Sequence, residues 1–133
     1  MQGWLVHEFG HFSEALSLEE MPGPEPSGET TRIRVKAAGV MFPDILNIAG
    51  QYQMKAPLPF VPGSEVAGII EEAGSDSRYK AGDRVISYNM MGGFAEESSD
   101  LALAGLAVAG LEGGVECRDG MGARAGDAGL LGT

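Results

Sequence analysis

The sequence predicts a small, mainly β domain of the β-barrel type, and three observations carry that prediction. Short stretches of alternating apolar and polar residues recur through the first hundred positions, as expected of strands that bury one face. Turn signals rich in Gly, Pro, Ser and Asp separate these stretches. Only one segment has the start and stop signals of a helix, and it is short. Many short strands with so little helix are typical of small barrels.

The strand candidates occur in a regular order along the chain. In the first of them, Leu5, His7 and Phe9 fall on one face of the strand. In the third and clearest, Ile33 and Val35 alternate with cationic residues. The five predicted strands are WLVHEF, ALSLEEM, TTRIRVKAAGV, SEVAGIIEEAG and DRVISY, at residues 4–9, 15–21, 30–40, 64–74 and 83–88.

The segment FPDILNIAG, residues 42–50, is the predicted helix. Pro43 suits the first helical turn, where its missing N–H has no partner to lose, and Gly50 can end the helix in the left-handed conformation. We expect about two turns of helix there and no long helix elsewhere in the domain.

The composition limits the possible functions. The 133 residues are 44% hydrophobic and 21% charged, which suits one globular domain. A net charge of −10 with nine Lys and Arg residues disfavours binding to nucleic acid or an anionic membrane. Cys117 is the single cysteine, so we expect no intrachain disulfide, and we expect a reduced, cytoplasmic protein. Neither a signal peptide nor a membrane span is expected.

The character of the sequence changes near residue 100. All nine aromatic residues lie between Trp4 and Phe94, whereas nine of the last 33 residues are Gly and seven are Ala. Such a segment buries little volume and loses much backbone entropy on ordering. We therefore predict a domain over residues 1–100 and a low-complexity tail over residues 101–133, which is frameshifted or disordered, with weak helix at most over residues 101–111.

A match to the zinc-peptidase motif H-E-x-x-H begins in the first predicted strand and consists of His7, Glu8 and His11. That motif works on a helix, where residues four apart face one metal ion and the glutamate activates its water. On a strand, the same residues lie about 13 Å apart, too far to share one zinc ion. Gly10 and the alternating flank favour the strand, so a zinc peptidase is the minor alternative and His11 is expected in a turn.

Four stretches together resemble a known family: VKAAGVMFPDILNIAGQYQ, LPFVPGSEVAGIIEEAGSD, KAGDRVISY and GGFAEE. They are similar to the amino-terminal GroES-like domain of the medium-chain dehydrogenase/reductase superfamily, in particular its zinc-independent NADPH:quinone oxidoreductases. The resemblance covers about three quarters of the chain. It implies a partly open GroES-like β-barrel with one or two short helices. It also implies hydride transfer from NADP(H) to a small-molecule quinone or enone.

The resemblance also assigns roles to single residues. Zinc-dependent relatives have a cysteine and a histidine where this chain has Met41 and Ser64. Thioether and hydroxyl groups do not replace those ligands, so no zinc is expected. Met41, Asp44 and Tyr52 fall on positions that shape the substrate cleft, although the quinone reductases commonly have asparagine in place of Met41. From its own chemistry Tyr52 is equally well a packed loop aromatic, and Asp44 a first-turn helix residue.

A nucleotide-binding domain would follow Glu97 in this family, but only 36 residues remain. The string GMGARA has G-x-G-x-x-A spacing in Gly120, Gly122 and Ala125, without the strand before it or the acidic residue about 20 positions later. We therefore expect a truncated oxidoreductase that is inactive alone, with no catalytic residue of its own. The alternative is a non-catalytic binding or dimerising module, in which exposed apolar residues could drive homo-oligomer formation.

Overall fold

The computed structural model describes residues 1–101 and 105–107 of the chain. Its seven strands and two helices confirm the prediction of a mainly β fold with little helix, as far as those residues go. The elements are β1 (Gln2–Val6), α1 (Phe12–Ala15), β2 (Leu16–Glu20), β3 (Thr30–Gly39), α2 (Phe42–Ala49), β4 (Glu65–Ala73), β5 (Arg84–Tyr88), β6 (Glu97–Leu101) and β7 (Gly105–Ala107).

The strands form two antiparallel sheets. β1 and β2 make a two-stranded sheet, and the other five strands are ordered β6-β3-β4-β5-β7. Two single bridges connect the small sheet to the rest of the domain, from Gly3 to Ala95 and from Val6 to Phe60. Within the described residues the ladders do not close into a ring, which agrees with the partly open barrel implied by the family resemblance.

The alternation that predicted β3 and β4 also places their side chains. Ile33 on β3 and Ile70 on β4 are register partners, and both are fully buried. They pack with Val85 of β5 and with Tyr79 from the turn before it. The cationic residues of β3 lie on the other face, where Arg32 and Arg34 form ion pairs with Glu71. The period-two pattern of the sequence therefore divides this sheet into an apolar inner face and a charged outer one.

A second hydrophobic cluster joins α2 to β1. It consists of Val6, Ile48, Ala56 and Phe60, all buried, with Phe9 packed against it. Phe9 also lies so close to Gly50 that a Cβ there would approach its Cγ within 2.7 Å. Gly50 has a φ of 70°, in the left-handed region, and caps the helix as predicted. These contacts fix the helix against the small sheet.

β3 and β4 approach each other unusually closely at Gly68. A Cβ at this position would clash with the backbone oxygen of Arg34 and would lie 2.6 Å from Cγ2 of Ile33. β3 has register irregularities between Arg32 and Ile33 and between Val35 and Ala37, on either side of this contact. Bulges increase the local bend and twist of a strand. The sheet can therefore curl around Gly68 towards a barrel.

Three parts of the structure differ from the prediction. β1 ends at Val6 and not at Phe9, because its pairing with β2 stops there. β6 was not predicted, because its sequence ESSDL has few apolar residues, and it forms by pairing with β3. The helical expectation is wrong for Gly105–Ala107, which is a strand paired with β5.

The remaining predictions for the tail fall on residues 102–104 and 108–133. Cys117 and the GMGARA string are among them, so both lie outside the described residues. The division into a domain and a tail stays a prediction. In the part of the chain that the structure describes, neither helix is long and apolar enough to cross a membrane.

We predict that Gly68→Ala lowers the free energy of unfolding by about 1–3 kcal/mol, because overpacking a rigid contact forces the backbone apart. Gly10→Ala is the matched control, since a Cβ there would lie 3.8 Å from Cβ of Ala15, an ordinary contact. Urea denaturation of both variants measures the difference. Equal stabilities for the two would contradict the role given to Gly68.

Candidate functional site

The start of α2 holds Met41 in a fixed position. Met41 is the N-cap residue, with extended backbone angles of φ −112° and ψ 157°. Its N–H donates to Oδ2 of Asp44 at 2.8 Å, and its carbonyl accepts from the N–H of Asp44 at 3.0 Å. Pro43 lies between them in the first turn, as its fixed φ favours. The predicted site residues Met41 and Asp44 are therefore tied together by a reciprocal pair of hydrogen bonds.

Ser64 reaches this position from a turn far along the chain. Gly63 precedes it with a φ of 99°, and Gly93 donates its N–H to the carbonyl of Gly63 at 2.9 Å. Ser64 is 5% exposed, and its hydroxyl donates to Sδ of Met41 at 3.7 Å. The two positions at which zinc-dependent relatives carry ligands thus touch each other. A thioether and a hydroxyl do not suit zinc, and the site offers a soft, polarisable surface instead.

Asp44 is buried next to Met41. The residue is 1% exposed, and its Oδ1 is buried without a hydrogen-bond partner among the described residues. Asp44 lies in the first turn of α2, and its carboxylate contacts the backbone of Met41. Its role in substrate binding stays a prediction.

Tyr52 lies in the loop after α2, two residues beyond the helix cap at Gly50. The loop begins with Gln51, whose N–H donates to the carbonyl of Leu46 at 2.8 Å. Tyr52 is half-buried, and its hydroxyl makes no hydrogen bond to the residues that the structure describes. The structure brings Met41, Asp44 and Ser64 together. The role of Tyr52 in binding stays a prediction.

Sequence reasoning missed Asn89. This residue directly follows β5, and its backbone N–H donates to the carbonyl of Ser64 at 2.7 Å. It therefore supports the turn that carries Ser64. The only sequence signal for it was a polar residue immediately after an apolar strand, which is also the ordinary signature of a turn.

Residues 6–11, which contain the match to the peptidase motif, do not form a helix. β1 ends at Val6 and α1 begins at Phe12, so His7 and Glu8 lie in the connection between them. His11 is the N-cap of α1, and its Nδ1 accepts from the backbone N–H of Ser13 at 3.3 Å. The helical geometry that the zinc motif needs is not formed.

His7 is instead half of an exposed pair with Glu19. Its Nε2 lies 2.7 Å from Oε1 of Glu19 across the β1–β2 hairpin. The hydrogen bond from His7 lowers the pKa of the Glu19 carboxyl below its ordinary value, and one from Ser17 acts in the same direction. Groups of three or more His, Cys, Asp or Glu residues suited to a metal ion do not occur among residues 1–101 and 105–107.

Comparison with known proteins gives a consistent result. Residues 27–124 match the alcohol dehydrogenase GroES-like domain family. The chain is 44% identical over 86 residues to quinone oxidoreductase-like protein 2 of Mus musculus. The aligned residues cover 63% of this chain and 24% of that relative. It is 41% identical over 99 residues to the quinone oxidoreductase of Mus musculus, and the aligned residues cover 72% of this chain and 30% of that relative. This chain therefore spans a quarter to a third of the length of these relatives.

Solved structures agree. The quinone oxidoreductase of Thermus thermophilus, whose complex with NADPH is also known, matches with a TM-score of 0.65 at 30% identity. The match covers 80% of this chain and 32% of that one. The likeness confirms the GroES-like fold and the resemblance to the medium-chain dehydrogenase/reductase superfamily that the motifs carried. The matched family range continues past residue 100, the predicted domain boundary.

We predict that Asp44→Ala destabilises the domain more than Asp44→Asn. Alanine leaves the N–H of Met41 without an acceptor at a partly buried helix start, a loss of about 1–3 kcal/mol. Asparagine keeps an acceptor oxygen for that N–H at nearly the same size. Urea denaturation of both variants measures the difference in free energy of unfolding. If asparagine costs as much as alanine, the hydrogen bond to Met41 is not what Asp44 contributes.

Proposed function

Because this chain belongs to the alcohol dehydrogenase GroES-like domain family, in the medium-chain dehydrogenase/reductase superfamily, we propose that it forms the substrate side of an NADPH-dependent quinone or enone reductase. A small-molecule partner and a cytoplasmic location are part of this proposal. The observation that carries it is the contact between Met41 and Ser64 at the start of α2. That contact puts a polarisable thioether where the family resemblance locates the substrate cleft.

The chemistry of these groups suits a flat, weakly polar acceptor. Thioether sulfur makes favourable contacts with π systems, and the ring of Tyr52 can stack on a quinone while its hydroxyl donates to a carbonyl. The hydroxyl of Ser64 donates its hydrogen bond to Sδ of Met41. We therefore assign Tyr52 as the residue that donates a hydrogen bond to the substrate. These residues bind and orient the acceptor, and none of them is assigned a bond-making role.

The nicotinamide supplies the hydride in such a reaction, and the named relative from Thermus thermophilus has been solved with NADPH. Among the described residues, no glycine-rich turn leads from a strand into a helix in the way a pyrophosphate requires. These residues therefore do not fit a dinucleotide. We infer that NADPH is held by residues outside this part of the chain, and that the 133 residues alone turn over no substrate.

We predict that the chain binds menadione weakly and that Met41→Asn strengthens this binding by about two- to tenfold, because an amide adds one hydrogen bond to a quinone carbonyl. Tyr52→Phe weakens binding by a similar factor. Chemical-shift titration of backbone amide groups measures both, and it does not depend on the Met41 methyl group that Met41→Asn removes. Tyr88→Phe is the control, since Tyr88 is an exposed aromatic at the end of β5.

The same samples test the proposal as a whole. With NADPH and menadione present, absorbance at 340 nm is expected to stay constant. Steady NADPH consumption would contradict the inference about the cofactor site. A menadione affinity that is the same in Met41→Asn, in Tyr52→Phe and in the unchanged chain would contradict the proposed substrate site.

A second candidate function is a binding or dimerising module, and the outward face of α2 favours it. Phe42 is 70% exposed and Ile45 is 37% exposed, while Asp44, Asn47 and Ile48 of the same helix are buried. Apolar side chains exposed next to each other on a helix form the kind of surface that another protein covers.

We predict that Phe42→Gln reduces self-association of the chain, because it removes the largest exposed apolar side chain from this face. Leu18→Gln is the matched control, since Leu18 is 51% exposed on the separate β1–β2 sheet. Light scattering over a range of concentrations gives the mean mass. Unchanged mass in Phe42→Gln, or an equal change in both variants, would argue against a docking role for α2.

A further inference from the structure

Asn89 connects two strands that are not neighbours in the sheet. It follows β5, and its Nδ2 donates to the carbonyl of Ser99 on β6 at 2.7 Å. β3 and β4 lie between β5 and β6 in the sheet order, so in a flat sheet the two strands would be about 14 Å apart. The hydrogen bond exists because the sheet curls. Asn89 thus links the end of β5 to β6, two strands that no backbone ladder joins directly.

The side chain of Asn89 is held firmly. Its second amide hydrogen is directed to Oγ of Ser87 at 3.2 Å, and Ser87 is fully buried. A carbonyl such as that of Ser99 can only accept, so the amide nitrogen must face it. Both hydrogens of the amide group are therefore used, and the orientation of the side chain is fixed by chemistry.

The backbone of the same residue reaches the candidate site. The N–H of Asn89 donates to the carbonyl of Ser64 at 2.7 Å, and the hydroxyl of Ser64 donates to Sδ of Met41. A continuous series of hydrogen bonds thus runs from the edge strand β6 through Asn89 and Ser64 to the thioether. The last of these bonds is weak, because sulfur is a poor acceptor, so the position of Ser64 decides whether it forms.

We propose that Asn89 is a positioning residue for the substrate site, which holds Ser64 and through it the thioether of Met41. This deepens the proposed function and rests on it for the identity of the ligand. The coupling between Asn89 and Met41 is a separate property of the chain and can be measured without any substrate. Asn89 touches no reacting group.

The experiment uses the full chain labelled with [methyl-13C]methionine. Met41→Leu assigns the Met41 methyl signal by its loss, and Met21, which packs near Gly3, is the internal reference. Asn89→Asp keeps the size of the side chain and removes both donated hydrogens. Asn89→Ala removes them without adding charge, so the test does not depend on the folding of one variant.

Ser77→Ala is the control for general destabilisation. Ser77 accepts from the N–H of Tyr79 in the turn between β4 and β5, at the opposite end of β4 from Ser64. We expect both Asn89 variants to move the Met41 methyl signal and to leave that of Met21 in place. We expect Ser77→Ala to lower the melting temperature while both signals stay. Asn89 variants that melt earlier with an unmoved Met41 signal would make Asn89 merely structural and overturn the proposal.

A titration with menadione separates this inference from the proposed function. If Asn89 positions the site for a quinone, the Asn89 variants bind menadione several-fold more weakly than the unchanged chain. If the unchanged chain does not bind menadione at all, the proposed substrate is wrong. The methyl signal of Met41 still decides whether Asn89 positions it.

Discussion

The close approach of β3 and β4 at Gly68 is the constraint on which the rest of the domain depends. No side chain fits between the two strands there, and the irregularities of β3 on either side allow it to bend around the contact. Because the sheet curls at this point, Asn89 after β5 can reach Ser99 on β6. The core of Ile33 and Ile70 lies on the inside of that curl. The absence of a Cβ at Gly68 thus permits the close strand contact beside which Ile33 packs.

The helix α2 buries polar as well as apolar side chains. Its buried side includes Asp44 and Asn47 with Ile48, and its exposed side carries Phe42. An ordinary surface helix keeps its polar residues mainly on the exposed side. The hydrogen bond from Met41 to the buried Asp44 carboxylate offsets part of the cost of that polar interior, and it fixes where the helix begins. The start of the helix therefore has a defined position for Met41.

The sequence predicted those elements whose signal is local. Alternation identified β3, β4 and β5, and the pair of Pro43 and Gly50 identified α2 with its left-handed cap. β6 was beyond local reasoning, since ESSDL has little apolar content and becomes a strand only because β3 presents a free edge to it. The same holds for the site. The motifs located Met41 and Asp44, but the support that Asn89 gives to Ser64 crosses 25 residues and leaves no pattern in the sequence.

The HEFGH segment shows that a metal-binding sequence motif functions only when its backbone has the required conformation. His7 pairs with Glu19 across a hairpin and His11 caps α1, so both imidazoles are engaged in local structure. At Met41 and Ser64, by contrast, two side chains that are 23 residues apart in the sequence contact each other. Their mutual contact is too weak to hold the site, because hydrogen bonds to charged or peptide groups contribute more than one to a thioether. The bonds from Met41 to Asp44 and from Asn89 to Ser64 provide the frame instead. Since that frame uses the backbone of residues 41 and 64, it does not depend on the side chains at these two positions.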